Sequence, residues 1–259
     1  MREFVNLKAK MKAGQKLAST FLRIERNPAV IYLAKQAGLD FILFDAEHGS
    51  YNLETIHDLC TTALSEQLPV LVRIPEGTKG FISTYLDAGA AGILVPMVGS
   101  AEYAERIAGY SKYPPVGYRG YTSSSCHTAY AGGVKHQEVM EEANNRILTI
   151  VQIETLEGLN NVDEIAGVDG IDMLFIGPND LSVALGIPGD LMNPIELEAI
   201  AKVAAAAKKH GKLFSMAAGR ALCEKFAKEL DAYVIGADSA MLMNGMKNVR
   251  KTVDELAAQ

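Results

Sequence analysis

Eight short apolar runs recur along the chain: Leu17–Leu22, Phe41–Phe44, Val70–Val72, Ile93–Val95, Ile147–Ile153, Met173–Ile176, Leu213–Met216 and Tyr233–Ile235. Each is too short for a helix and rich in Val, Ile, Leu and Phe, as strands buried on both faces are. Between them the apolar positions change to helical spacing. Leu53, Ile56, Leu59, Ala63 and Leu64 follow the second run, and Phe81/Tyr85 with Ile82/Leu86 follow the third. After the sixth run comes a helix over Asn193–His210, with Asn193 as N-cap, Pro194 in the first turn and Gly211 as terminator. Ala221, Phe226, Ala227 and Leu230 mark another after the seventh. Eight such units without a linker predict one α/β domain over residues 1–259, a (β/α)8 TIM barrel. The rival doubly wound sheet needs a glycine-rich turn after an early strand. The first run is followed instead by Arg23-Ile24-Glu25-Arg26-Asn27-Pro28.

Two segments stand outside the simple alternation. The connection from Tyr113 to Asn145 is long for a compact domain, and such loops are usually functional or mobile. The last helix, around Asn244–Ala257, carries Met246, Val249, Val253 and Leu256 at helical spacing. This stripe must pack on its own barrel or on a neighbouring subunit.

Charge narrows the function classes. Lys and Arg number 25 against 31 Asp and Glu, a formal −6, which disfavours nucleic acid as a partner. No apolar run approaches the roughly 18 residues of a membrane span. The basic segment Met1–Lys16 is followed by no apolar core of a signal peptide. Cys60, Cys126 and Cys223 are sparse, odd in number and widely spaced, which suits a reducing cytoplasm.

In a barrel the chemistry gathers at the C-terminal ends of the strands. There the second run ends Asp45-Ala46-Glu47-His48-Gly49, the third at Arg73, the fifth in Gln152-Ile153-Glu154-Thr155, and the sixth in Gly177-Pro178-Asn179-Asp180. Asp45 and Glu47 share a face by strand period. Glu154 and Asp180, one βα unit apart, either cap the helices that follow or share a hard divalent ion. His48 beside Asp45 reads as a general base or as a loop histidine. Arg73 either bridges Asp45 or Glu47, or aims its charge at a developing enolate or carboxylate oxygen. Met216-Ala217-Ala218-Gly219 is packing or pocket floor. No lysine occupies an inward strand position, which argues against a Schiff-base mechanism.

The motifs in combination resemble the HpcH/HpaI aldolase family, the class II pyruvate aldolases. Asn6-Leu7-Lys8, Phe44–Gly49 with Asn52, Val72-Arg73 and Asp87-Ala88-Gly89-Ala90 match. So do Tyr113-Pro114-Pro115 with Gly117 and Arg119-Gly120, Val151–Thr155, Gly177-Pro178 with Asp180-Leu181-Ser182, and Gly236-Ala237-Asp238. The resemblance implies a metal-dependent aldolase that makes or cleaves 4-hydroxy-2-oxo acids from pyruvate and an aldehyde. It implies Glu154 and Asp180 as ligands of Mg²⁺ or Mn²⁺, with Co²⁺ a further candidate. It implies Arg73 at the pyruvate enolate and His48 with Asp45 as an acid–base dyad. Gln152, Pro178, Asn179, Asp180 and Ala217 become substrate contacts, and the chain a homo-oligomer, a hexamer with the last helix exchanged between subunits. Ser50-Tyr51, Asn179 and the small Ala217 depart from several relatives. A lyase acting on a CoA thioester, or a decarboxylase, would use the same enolate. A hexameric binding protein is the non-enzymatic alternative.

Overall fold

The computed structural model describes residues 4–133 and 135–258. Val134 of the long connection, and the first three residues of the basic segment Met1–Lys16, lie outside it. Eight parallel strands close in sequence order: β1 (Leu17–Leu22), β2 (Ile42–Asp45), β3 (Val70–Arg73), β4 (Gly92–Val95), β5 (Leu148–Ile153), β6 (Met173–Ile176), β7 (Leu213–Ala217) and β8 (Ala232–Ala237). Every predicted run is a strand. Side chains alternate across the sheet as strand period requires. Leu17, Phe21, Leu43, Leu71, Leu94, Ile150, Phe175 and Val234 fill the interior. Their neighbours Phe44, Val72, Ile93, Val151 and Leu174 pack outward against the helices.

The helix Leu7–Lys12 closes the base of the barrel, its Leu7 and Met11 joining the interior layer. The helix after β6 runs Pro194–Lys209 as its caps predict: Asn193 Oδ1 accepts from the Ile195 N–H at 3.0 Å, and Gly211 takes φ +64. The helix after β7 is shorter than its apolar spacing suggests, ending at Lys225. Phe226 and Leu230, although outside it, are still buried.

The long connection is neither a lid nor wholly a loop. Its last third is the helix His136–Arg146, and Cys126–Thr128 forms a short 3-10 turn. Because it joins a helix to the start of β5, it lies at the base. Buried Tyr113 anchors it there, with the Arg119 guanidinium over its ring at 4.8 Å and bonded to Asp87. Lys135 therefore stays far from the mouth, exposed and paired with Glu138.

The final helix, Asp238–Ala257, begins earlier than its stripe suggests and leaves its own barrel. Asp238 anchors it by accepting from the backbone N–H groups of Arg23, Ile24 and Glu25 at 2.8–3.1 Å. Every residue from Ser239 to Ala258 is exposed, Met246, Val249, Val253 and Leu256 included. Beside its root an apolar groove of about 500 Å³ opens, lined by Val30, Leu33, Ile42, Tyr233, Ile235 and Met241. In this structure the stripe does not pack on its own barrel. No helix of the described residues is long and apolar enough to cross a membrane.

Candidate active site

Strand register builds the first half of the site. Asp45 and Arg73 are direct partners across β2 and β3, so a carboxylate and a guanidinium meet where both strands end. Arg73 Nε and Nη2 hold the two Asp45 oxygens at 2.9 and 2.6 Å, a bidentate fork. Arg73 Nε also lies 3.2 Å from Glu47 Oε2. Asp45 is fully buried and further receives Arg23 Nε at 2.8 Å and the His48 backbone N–H at 3.1 Å. Burial by itself would raise this carboxyl. The bond and charge of Arg73, then His48 N–H and Arg23, hold it below its ordinary value. The turn is made possible by Gly49, where a Cβ would sit 2.1 Å from the Asp45 carbonyl oxygen.

The second half stands on β5 and β6. Ile153 and Ile176 are register partners, which sets Glu154 against Gly177. A Cβ at Gly177 would lie 2.2 Å from Glu154 Oε2 and 2.4 Å from Gln152 Nε2, so the residue must be glycine for the Glu154–Gln152 pair to exist. Glu154 Oε2 accepts from Gln152 Nε2, and Oε1 from the Met97 backbone N–H at 2.8 Å. Met97 presents that N–H from a left-handed conformation, φ +56. Burial pushes Glu154 up to about 7 against these two donors, and the charges of Asp180 and Glu47 add to the push. Asp180 is exposed in the first turn of the helix Pro178–Ala184, with Pro178 buried at its start. Ala217 ends β7 at the edge of the interior layer.

The structure therefore brings Asp45, Glu47, Arg73, Gln152 and Glu154 to one end of the barrel, with Asp180 near enough to raise both glutamates. It corrects one expectation. The His48 ring does not meet Asp45: only its backbone N–H does. The ring is mostly exposed, 3.9 Å from Glu47. Asp45 is already saturated by two guanidiniums and an amide, so the carboxylate beside His48 is Glu47. Among the described residues no group of three or more His, Cys, Asp or Glu side chains is arranged to hold a metal ion. The donor set fits a hard ion in a different way, through two carboxylates with substrate and water completing the shell. Asp180 adds its negative charge to Glu154, and Gln152 Oε1 is buried without a partner.

Three contributors escaped the sequence reading. Arg23 has a signal, two residues beyond inward-facing Phe21. Gly177 has one only once register is known. The Met97 N–H has none, being backbone.

Comparison with known proteins places the chain in a family. The profile of the HpcH/HpaI aldolase/citrate lyase family matches residues 20–244. A 2-keto-3-deoxy-L-rhamnonate aldolase of Klebsiella pneumoniae subsp. pneumoniae is 36% identical, over 81% of this chain and 78% of its own. A hydroxypyruvate/pyruvate aldolase of Pseudomonas aeruginosa is 33% identical, over 93% and 90%. The crystal structure of an HpcH/HpaI aldolase from Desulfitobacterium hafniense DCB-2 superposes with a TM-score of 0.92 at 32% identity, covering 98% of both chains. The chain belongs to the HpcH/HpaI aldolase/citrate lyase family.

Proposed function

We propose that this carbon–carbon lyase is a metal-dependent aldolase that joins pyruvate, as its enolate, to an aldehyde and runs the reverse cleavage of 4-hydroxy-2-oxo acids. The observation that carries the reading is the split of charge at the mouth. A buried guanidinium ends β3, and across the mouth the buried Glu154 follows β5, with Asp180 in the helix after β6 adding its negative charge to it. A divalent cation, Mg²⁺, Mn²⁺ or Co²⁺, held by Glu154 and Asp180 would supply Lewis-acid polarisation of the 2-oxo acid. Gly177, Gln152 and the Met97 N–H fix the Glu154 carboxylate for that role. Arg73 is locked by Asp45 and Glu47 on Nε and Nη2, leaving Nη1 without a partner among the described residues. That nitrogen offers a fixed positive charge to the enolate oxygen as it forms. His48, exposed at the rim beside Glu47, takes the proton of the C4 hydroxyl in cleavage and returns it in condensation. In this reading Gln152, Pro178, Asn179 and Ala217 are the remaining substrate contacts.

The chain acts as a homo-oligomer in this reading. The exposed stripe of Asp238–Ala257 and the apolar groove at its root belong against the same surfaces of neighbouring copies, as in a helix-swapped hexamer. Its three free, buried cysteines fit the cytoplasm. The test is chemical. EDTA followed by dialysis should abolish aldol cleavage, and Mg²⁺ or Mn²⁺ should restore it. Borohydride with pyruvate should leave the protein mass unchanged. Full activity in excess chelator, or a pyruvyl adduct on a lysine, would overturn the reading.

A further inference from the structure

The interior ring of Phe21, near the top of β1, carries two guanidiniums. Arg73 Cζ lies 5.1 Å from its centroid and Arg23 Cζ 5.6 Å. Both arginines therefore stand over the barrel interior, and both bond Asp45 Oδ2, at 2.6 and 2.8 Å. They differ in what they have left to offer. The Arg73 side chain is 5% exposed and touches two carboxylates. The Arg23 side chain is 43% exposed and spends only Nε, on an anion it shares. Its two terminal nitrogens make no hydrogen bond among the described residues.

Arg23 is nonetheless fixed. Its Nε is held by Asp45, and its backbone N–H by both oxygens of Asp238 at 3.1 Å. A planar fork with its stem immobilised and its tips in solvent is suited to bidentate capture of a carboxylate, at little entropic cost. Position then decides which anion. In the closed order β1 to β8, β1 lies across the mouth from β5, which carries Glu154. Arg73 on β3 lies between. A 4-hydroxy-2-oxo acid with its oxo-acid end at Glu154, Asp180 and Arg73 would extend its far end toward β1.

We propose that Arg23 is a specificity determinant that binds a carboxylate on the aldehyde partner, so the enzyme prefers aldehydes bearing an anionic group over neutral ones of similar length. This rests on the aldolase reading above. The test uses the metal-loaded full chain, with pyruvate and two matched pairs: succinic semialdehyde against butanal, and glyoxylate against glycolaldehyde. Wild type should favour the anionic member of at least one pair in kcat/KM. In Arg23→Gln the anionic-to-neutral ratio should fall at least tenfold, whatever the absolute rate does. Arg23→Lys, which keeps charge without the fork, should retain part of it. A wild type without the preference, or a ratio that survives Arg23→Gln, would overturn the subsite and leave Arg23 as a holder of Asp45. Exchange of pyruvate methyl protons into D₂O separates the two failures. Normal exchange without the preference sinks the subsite alone. Absent exchange sinks the aldolase reading and the subsite with it.

Discussion

Base and mouth of this barrel each bury a group of charges, and they are built on opposite terms. At the base, Asp172 accepts from Lys8 at 2.8 Å, from Lys112 at 2.6 Å and from the Thr149 N–H at 2.9 Å. The two ammonium groups spend further donors on the Asn144 and Ile147 carbonyls. Burial lowers Lys112 to about 8 even so, with Asp172 resisting. At the mouth, Asp45 and Arg73 are closed in the same manner, but Glu154 is met by neutral donors, Gln152 Nε2 and the Met97 N–H. The base is a clamp that ties the long connection and the N-terminal helix to the strand ends. At the mouth burial outweighs the donors, and Glu154 is pushed up to about 7. Burial of charge alone therefore does not separate a site from a clamp.

The largest expected effect lies on the unpaired side. Glu154→Gln keeps the planar shape and the acceptor for the Met97 N–H but removes the charge; its amide nitrogen replaces the other acceptor, and a flip of the Gln152 amide brings that residue's unpartnered Oε1 to meet it. Turnover should fall by about 10³-fold or more, since metal polarisation is worth several kcal/mol of barrier. Mn²⁺ affinity should fall with it, while thermal stability in chelator should hold or rise. A destabilised variant with intact Mn²⁺ binding would place Glu154 in the same class as the base cluster and break the contrast.

Asp172→Asn is the counterpart on the paired side. It leaves Lys8 and Lys112 buried together without their anion. Removing one partner of a buried ion pair costs about 3–5 kcal/mol. Denaturant unfolding should show that loss, with kcat of the still-folded fraction near wild type. A selective loss of kcat at unchanged stability would mean that the base communicates with the chemistry.

Arg73→Lys should lower turnover by about 10²–10³-fold, the usual cost of one oxyanion donor. A lysine cannot grip both Asp45 oxygens and still present a third nitrogen to the substrate. Activity within a few-fold of wild type would make Arg73 a purely structural bridge, and the closed half of the mouth no different from the base.

Much of this was legible in the chain because strand period and strand order carry it. Eight apolar runs gave eight strands, and polar residues after runs two, three, five and six arrived at one rim. What escaped depends on directions that sequence does not encode. The position of the Asp45 carboxylate follows from its residue type and strand end. The bridge from Arg73 to Asp45 and Glu47 was one of the two readings its strand end allowed; the arrival of Arg23 at Asp45, in place of the His48 ring, follows from lateral register. Lys112 reads as an ordinary polar residue after a helix, yet it is almost fully buried because the chain turns back to the base there. The long connection could not be assigned to a face until its helix His136–Arg146 placed it before β5. The terminal stripe states that it must pack, and only the exposure of the whole helix shows that its own barrel does not cover it.

Glu196 separates burial from function most finely, though with the smallest effect. It is pushed up to about 7 by burial, as Glu154 is, and it is fully buried with neither oxygen hydrogen-bonded. Unlike Glu154 it has no donor among the described residues, and burial alone raises it. If missing partners alone made a site, Glu196 would be one. It stands instead in the first turn of Pro194–Lys209, off the strand ends. Its unfolded value is 4.5 and its folded value about 7. Between these the unfolded chain gives up the proton and the native one keeps it, so this group's contribution falls as pH rises from about 4.5 past 7. Glu196→Leu should remove that slope. At pH 8 it should stabilise the protein by about 1–3 kcal/mol, the cost of an unsatisfied buried polar group. Melting of wild type and variant from pH 4.5 to 8 in chelator isolates the difference, because Glu154 titrates alike in both. Turnover should be unchanged. A variant that melts in parallel with wild type would show that Glu196 has a native partner, and one that loses turnover would extend the active site beyond the strand ends.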